Sequence, residues 1–180
     1  MERKKEIEKM IIRRIVVGPL ETNCYLVADE AIKDAVIIDP GAEPDKISSA
    51  IKENGFKPKF ILLTHEHPDH IGAITNLWPC DVLRLKNGEN IKIGKTEIMA
   101  AATPGHTPDS VCFIAEEHIF SGDTLFKGGI GRTDLKGGNY FQIKESLKRL
   151  MEFPDHFKIF PGHGEETTIG EERKNNPFLQ

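Results

Sequence analysis

Phe60-Ile61-Leu62-Leu63-Thr64-His65-Glu66-His67-Pro68-Asp69-His70-Ile71 decides the reading of the whole chain. Residues 60–63 are an unbroken apolar run, the pattern of a strand covered on both faces. In extended chain His65 and His67 lie two apart and project to the same side, so both can grip one ion. Pro68 then turns the chain, because its fixed φ suits a first helical turn. Asp69 and His70 ride that turn and are aimed at a neighbouring point. One segment can thus serve two adjacent metals. The helical zinc motif H-E-x-x-H is absent: the fourth residue after His65 is Asp69, and Pro68 would break the helix that motif needs.

Of the seven histidines, five fall in three places: the segment above, Pro104-Gly105-His106 and Pro161-Gly162-His163. Each place follows a stretch read as a strand, where loops on a rigid scaffold gather ligands. Asp123, in Ser121-Gly122-Asp123, holds an equivalent position after residues 118–120. Five imidazoles and two carboxylates with no thiolate form a borderline-hard donor set, suited to zinc, iron or manganese and not to copper(I) or calcium. A closed structural zinc takes four ligands, so seven candidates point to two cations with positions left for water. His118, beside the turn Glu116-Glu117, and His156, after Pro154-Asp155, read as surface residues.

Around these loops the pattern is one of short strands and a few helices. Strands are expected over 11–17, 24–28 and 35–38, then an amphipathic helix over 44–54 with Ile47, Ala50 and Ile51 on one face. Ile71, Ile74, Leu77 and Trp78 suggest a second helix closed by Pro79. The turn signals Asn87-Gly88 and Gly94-Lys95 make 82–103 a meander of strands, continued by 111–115 and 118–120. A glycine-rich loop over 128–138 is assigned to the rim of the site; it lacks the G-x-x-x-x-G-K-[ST] phosphate cradle. A helix over 140–153, an apolar stretch over 157–160 and a polar tail complete the chain. Two sheets flanked by helices fit this order better than alternating Rossmann units, and no linker divides the single domain expected over 1–180.

Composition sets the outer bounds. With 38% apolar residues over 180 positions, a sizeable core is within reach. A net charge of −4 gives no general pull toward phosphate backbones, so nucleic acid is not an expected partner. No apolar run approaches the ~20 residues that cross a bilayer, so neither is a membrane. Residues 1–9 carry both charge signs without an apolar core, and a reducing cytoplasm is the expected compartment. Cys24, Cys80 and Cys112 show no C-x-x-C spacing and read as small buried hydrophobes.

The histidine segments resemble the metallo-β-lactamase superfamily: H-x-H-x-D-H, a later lone histidine, an aspartate and a terminal histidine all have matches, in order, along nearly the whole chain. The resemblance implies an α/β fold, a four-layer αββα sandwich of two mixed β-sheets flanked by helices. It also implies one metal held by His65, His67 and His106 and a second by Asp69, His70 and His163, with Asp123 bridging. Gly122-Asp123-Thr124-Leu125-Phe126, Gly131-Arg132-Thr133-Asp134 and Pro161-Gly162-His163-Gly164 are similar to the hydroxyacylglutathione hydrolase (glyoxalase II) branch, above all its short single-domain relatives, which hydrolyse thioesters. A β-lactamase of the principal zinc class would carry cysteine where Asp123 stands. Arg132 matches a basic residue that contacts glutathione in that branch, while Asp134 replaces the aromatic found there.

The expected activity is therefore hydrolysis of a small-molecule thioester, such as an S-acylglutathione, with two divalent metal ions, zinc first and iron or manganese as alternatives. Asp69 and Asp123 would orient the nucleophile. Arg132 would anchor a substrate carboxylate, unless it is spent on an ion pair with Asp134. A mononuclear iron persulfide dioxygenase is the alternative, with His65, His106 and Asp123 as its triad. A non-enzymatic metal-binding module is the third reading. A monomer or small homo-oligomer is expected.

Overall fold

Along β2 (Thr22–Asp29), Cys24, Leu26 and Ala28 face one way while Tyr25 and Val27 face the other, and both sets are buried. A strand of this kind must lie in a sheet covered on both sides. The computed structural model describes residues 10–180; residues 1–9, the mixed-charge start of the chain, lie outside the described residues. The first sheet runs in the order β1 (Met10–Val17), β2, β3 (Asp34–Ile38), β4 (Lys57–Leu62) and β5 (Asp81–Leu83). Its first pairs are antiparallel, whereas β3–β4 and β4–β5 are parallel.

The second sheet is built from β6 (Asn90–Ile93), β7 (Thr96–Ala102), β8 (Val111–Ala115), β9 (His118–Gly122), β12 (Lys158–Pro161) and β13 (Thr167–Thr168). It too is mixed, because β12 pairs with β9 in parallel and the other pairs are antiparallel. A two-stranded ribbon, β10 (Leu125–Phe126) with β11 (Gly129–Ile130), stands apart.

Three apolar layers follow from strand alternation. Ile47 and Ile51 of α1 (Pro44–Glu53) pack on the outer face of the first sheet with Cys24, Leu26 and Ile37. Between the sheets lie Tyr25, Val27, Val36 and Leu62 against Ile98, Phe113, Phe120 and Phe160. Ile143, Leu147 and Leu150 of α3 (Tyr140–Leu150), with Ile169 at the head of α4 (Ile169–Asn175), cover Cys112, Ile114 and Ile119 on the far side. The result is an αββα sandwich of two mixed sheets flanked by helices. Each fully buried large side chain contributes about 1.5–3 kcal/mol. The loops above the strand ends therefore rest on a stiff base.

Three expected elements need correction. The helix expected from Ile71 to Trp78 is broken into one turn, α2 (Pro68–Ile71), and a 3₁₀ turn over Ile74–Asn76. Tertiary bonding overrides the helical ladder there, since the Ala73 N–H donates to the Pro40 carbonyl at 3.0 Å. The meander over 82–103 is not one sheet: β5 pairs with β4, and only β6 and β7 belong to the second sheet. The polar tail forms β13 and α4, where Thr168 Oγ1 accepts from the Glu171 N–H as an N-cap. Cys24 and Cys112 are buried as expected, whereas Cys80 is half-buried. His156 is exposed, while His118 is half-buried within β9.

At the end of the sandwich away from the histidines, Asp29 ties the sheets together. Its Oδ1 accepts from the N–H groups of Ala31 and Ile32 at 2.9 and 3.0 Å, and its Oδ2 from that of Lys95 at 3.0 Å. The donors of Lys95 and Ile32 hold its carboxyl below the usual carboxylate range. This contribution is therefore full above the unfolded carboxyl value of about 3.9 and disappears as pH falls through the lower folded value. Asp29→Ala is expected to cost about 1–2 kcal/mol at pH 7 in urea unfolding, with the gap to the parent narrowing as the solution is acidified through that range.

Candidate metal centre

The histidine and aspartate loops all leave the same end of the two sheets. His65 and His67 follow β4, His106 follows β7, Asp123 follows β9 and His163 follows β12, while Asp69 and His70 sit on α2. Because α2 begins at Pro68, Asp69 and His70 turn away from the line of His65 and His67, as the sequence requires. His67 Nδ1 lies 3.1 Å from His65 Nε2 and 2.9 Å from His106 Nε2, so three ring nitrogens converge on one point. Beside them, Asp69 Oδ2 lies 3.2 Å from His163 Nε2 and 3.5 Å from His70 Nε2. Each trio has its ligand atoms within 4.8 Å of one another.

Asp123 stands between the trios. Its Oδ2 is 3.5 Å from His106 Nε2 and 3.6 Å from His163 Nε2, and its Oδ1 is 3.3 Å from His70 Nε2. All seven residues expected as ligands are thus gathered in one pocket.

The far nitrogen of four rings is fixed from behind, the arrangement that selects a tautomer and steadies a metal-binding imidazole. His65 Nδ1 meets Thr64 Oγ1 at 3.1 Å, and His106 Nδ1 meets the Arg132 carbonyl at 2.8 Å. His163 Nδ1 meets the Leu20 carbonyl at 2.9 Å, and His70 Nδ1 meets Asp39 Oδ2 at 2.9 Å. Thr22 steadies Asp69 by donating its hydroxyl to Oδ2 at 3.1 Å.

Sequence reading missed Asp39, which is buried and accepts from the Thr64 N–H at 2.8 Å and from the Thr64 hydroxyl at 2.5 Å as well. The signal was present: Asp39 directly follows β3, as Asp123 directly follows β9. It links both trios, reaching His65 through Thr64 and His70 directly.

Two glycines let the backbone come this close. A Cβ on Gly162 would stand 2.2 Å from Asp123 Oδ1 and 2.8 Å from the His70 ring, and one on Gly41 would stand 1.6 Å from the Asp69 carbonyl oxygen. Any larger residue at Gly162 would fill the space between the donors themselves.

Electrostatics suit a cation. Burial, reinforced by neighbouring His70, pushes His65 down to about 3, and burial also lowers His67, so these rings are neutral donors at pH 7. Burial opposes charge on His70 as well, yet the carboxylates of Asp39 and Asp123 outweigh it and lift the ring to about 10. Asp123, despite burial, is held down to about 2 by His70, His65 and His163. The pocket thus stabilises positive charge between His70 and Asp123. His70 Nε2 and Asp123 Oδ1 are buried there with no hydrogen-bond partner among the described residues, and such groups are ordinarily satisfied. Orphaned donors, neutral imidazoles and ionised carboxylates together fit divalent metal.

Arg132 lies at the rim of the pocket. Its fork grips Asp134, Nε to Oδ1 at 2.8 Å and Nη2 to Oδ2 at 2.7 Å, and both side chains are more than half exposed. The ion-pair alternative is therefore the one formed, while the Arg132 backbone serves His106. Asp39→Asn is expected to weaken metal binding roughly 10–100-fold, read by competition with a chromogenic chelator, because it unseats the partners of both trios.

Comparison with known proteins agrees with this geometry. The family model described as the metallo-beta-lactamase superfamily matches residues 17–79 and 81–163. Hydroxyacylglutathione hydrolase GloC of Haemophilus influenzae is 35% identical, over 94% of this chain and 98% of its own length. Among solved structures, ETHE1 from Myxococcus xanthus superposes with a TM-score of 0.84 at 32% identity, covering 93% of this chain and 84% of ETHE1. TTHA1623 in a di-iron-bound form gives 0.82 at 34% identity, covering 93% of this chain and 100% of that one. The chain belongs to the metallo-beta-lactamase superfamily and is a metal-dependent enzyme of that group.

Proposed function

We propose that the chain hydrolyses thioesters, taking an S-acyl thiol and water to a carboxylic acid and the free thiol. The observation that carries this reading is the assembly of two complete donor trios on either side of Asp123. His65, His67 and His106 would hold one divalent cation and Asp69, His70 and His163 a second, with Asp123 shared. Bound metal would supply Lewis acidity and would lower the pKa of a water held there toward ~7, and zinc, iron and manganese all suit the donor set. The di-iron form of TTHA1623 supports a two-metal occupancy, and the name of GloC supports an acylated thiol as substrate.

The protein's own groups do the positioning. Asp69 and Asp123 accept hydrogen bonds from the attacking water and aim it at the thioester carbonyl. Thr22 keeps Asp69 turned toward His163 during that step. The leaving thiolate needs no strong general acid, because a thiol with pKa ~8.5 is already a fair leaving group. Arg132 would anchor a carboxylate of the thiol carrier by exchanging Asp134 for it. That exchange is easy at the surface, where exposed ion pairs are weak.

The likeness to ETHE1 favours a second reading, persulfide oxidation at one iron held by His65, His106 and Asp123. It leaves His67, Asp69, His70 and His163 without a task, although their donor atoms converge as well as the others. Metal analysis with paired assays separates the two. About two metal ions per chain with release of free thiol from S-acylglutathione upholds the hydrolase; about one iron per chain with oxygen uptake on glutathione persulfide overturns it.

His163→Ala is expected to lower kcat/KM for thioesters by at least the ~10–100-fold typical of lost outer partners, and to reduce metal content by mass spectrometry. Arg132→Ala is expected to raise KM for glutathione thioesters with little change in kcat. An unchanged KM would remove Arg132 from the substrate site.

A further inference from the structure

Beside the metal centre lies a cavity of about 340 Å³ that none of the site residues other than His65 enters. Its walls are Leu85, Ala102, Pro104, Pro108 and Val111, and its floor is Thr64 where it meets the second sheet through Val111 N–H to Thr64 carbonyl at 2.9 Å. His65 and Glu66 form the wall on the side of the metal-binding groups. The volume falls in the range of small-molecule sites, about 300–1,000 Å³.

The inward polar groups of these walls are already taken. The Thr64 hydroxyl is bonded to Asp39, the Ser110 hydroxyl to Thr107 at 2.7 Å and the Pro104 carbonyl to Ser146 at 2.8 Å. The Ala102 N–H is bonded to Asn87 and its carbonyl to Arg149, both at 2.9 Å. A ligand hydroxyl entering here would trade its water for nothing, which disfavours it strongly, whereas an apolar group loses nothing. At the mouth Arg84 is paired with Glu66, and the exposed Lys86 and Asp109 add one charge of each sign to a polar rim.

We infer that this cavity is the acyl subsite of the enzyme and that it selects a bulky apolar acyl group over acetyl or a 2-hydroxyacyl group. The inference rests on the thioesterase reading above and adds the side of the substrate that reading leaves open. An acyl carbon chain running from the carbonyl past His65 enters the cavity directly, while the thiol carrier leaves on the Arg132 side.

The test uses the metal-loaded full chain with acetyl, lactoyl, octanoyl and phenylacetyl thioesters of glutathione. Octanoyl and phenylacetyl substrates are expected to exceed acetyl and lactoyl by roughly tenfold or more in kcat/KM. Leu85→Trp and, at the half-buried rim, Ala102→Leu should erase that preference by lowering octanoyl and phenylacetyl kcat/KM toward the acetyl value. Independently, titration with octanoate or phenylacetate should shift the methyl resonances of Leu85 and Val111. Equal rates on all acyl groups, a lactoyl preference, or variants that slow every substrate alike overturn the inference, as do methyls that stay still. A protein that cleaves no thioester but shows the methyl shifts keeps the apolar cavity and loses the hydrolase reading. One that cleaves thioesters without acyl preference and with silent methyls does the opposite.

Discussion

A single buried carboxylate, Asp39, holds the centre in shape. Its two oxygens take the Thr64 N–H, the Thr64 hydroxyl and His70 Nδ1. Through Thr64 it also governs the ring of His65. Burying an ionised group without such partners would cost far more than the site could bear, so the contacts are obligatory and not decorative. Asp39 itself adopts a left-handed backbone at φ 51°, a conformation uncommon outside glycine and tolerated best by Asp and Asn.

The sheets are locked to each other at the same end. Tyr25 reaches from the first sheet to the Pro161 carbonyl at 2.7 Å, with its ring edge-on to Phe120 and Phe160. Asn23 donates its side-chain amide to the carbonyls of Pro161 and Gly164, both at 2.9 Å, and its backbone N–H to Gly162 at 2.7 Å. His163 is therefore held between bonds on either side of it. Ligand loops placed on elements so tied can keep the sub-ångström tolerance that a metal site demands.

Much of this was legible in the sequence because it rests on local rules. Pro68 sets the direction change between His67 and Asp69, the unbroken apolar run of residues 60–63 announces a strand covered on both faces, and each Pro-Gly-His turn follows an apolar strand. What could not be read depends on partners far away along the chain. The break after Ile71 is caused by the Pro40 carbonyl, and the split of residues 82–103 between two sheets is caused by β4 capturing β5. Asp39 escaped notice because a lone aspartate before Pro-Gly also reads as an ordinary turn. The short tail helix, by contrast, carried its Thr168-x-x-Glu171 capping signal in plain view.

The parallel pairing of β12 with β9 has a kinetic meaning. Parallel neighbours need a long crossover, here supplied by α3 and the loops around it, and such non-local closures come late in folding. The trio of His65, His67 and His106 draws on the loops after β4 and β7, whereas the trio that needs His163 is complete only when β12 docks on β9. The two halves of the pocket are thus completed in order, the second waiting on the crossover that brings β12 to β9.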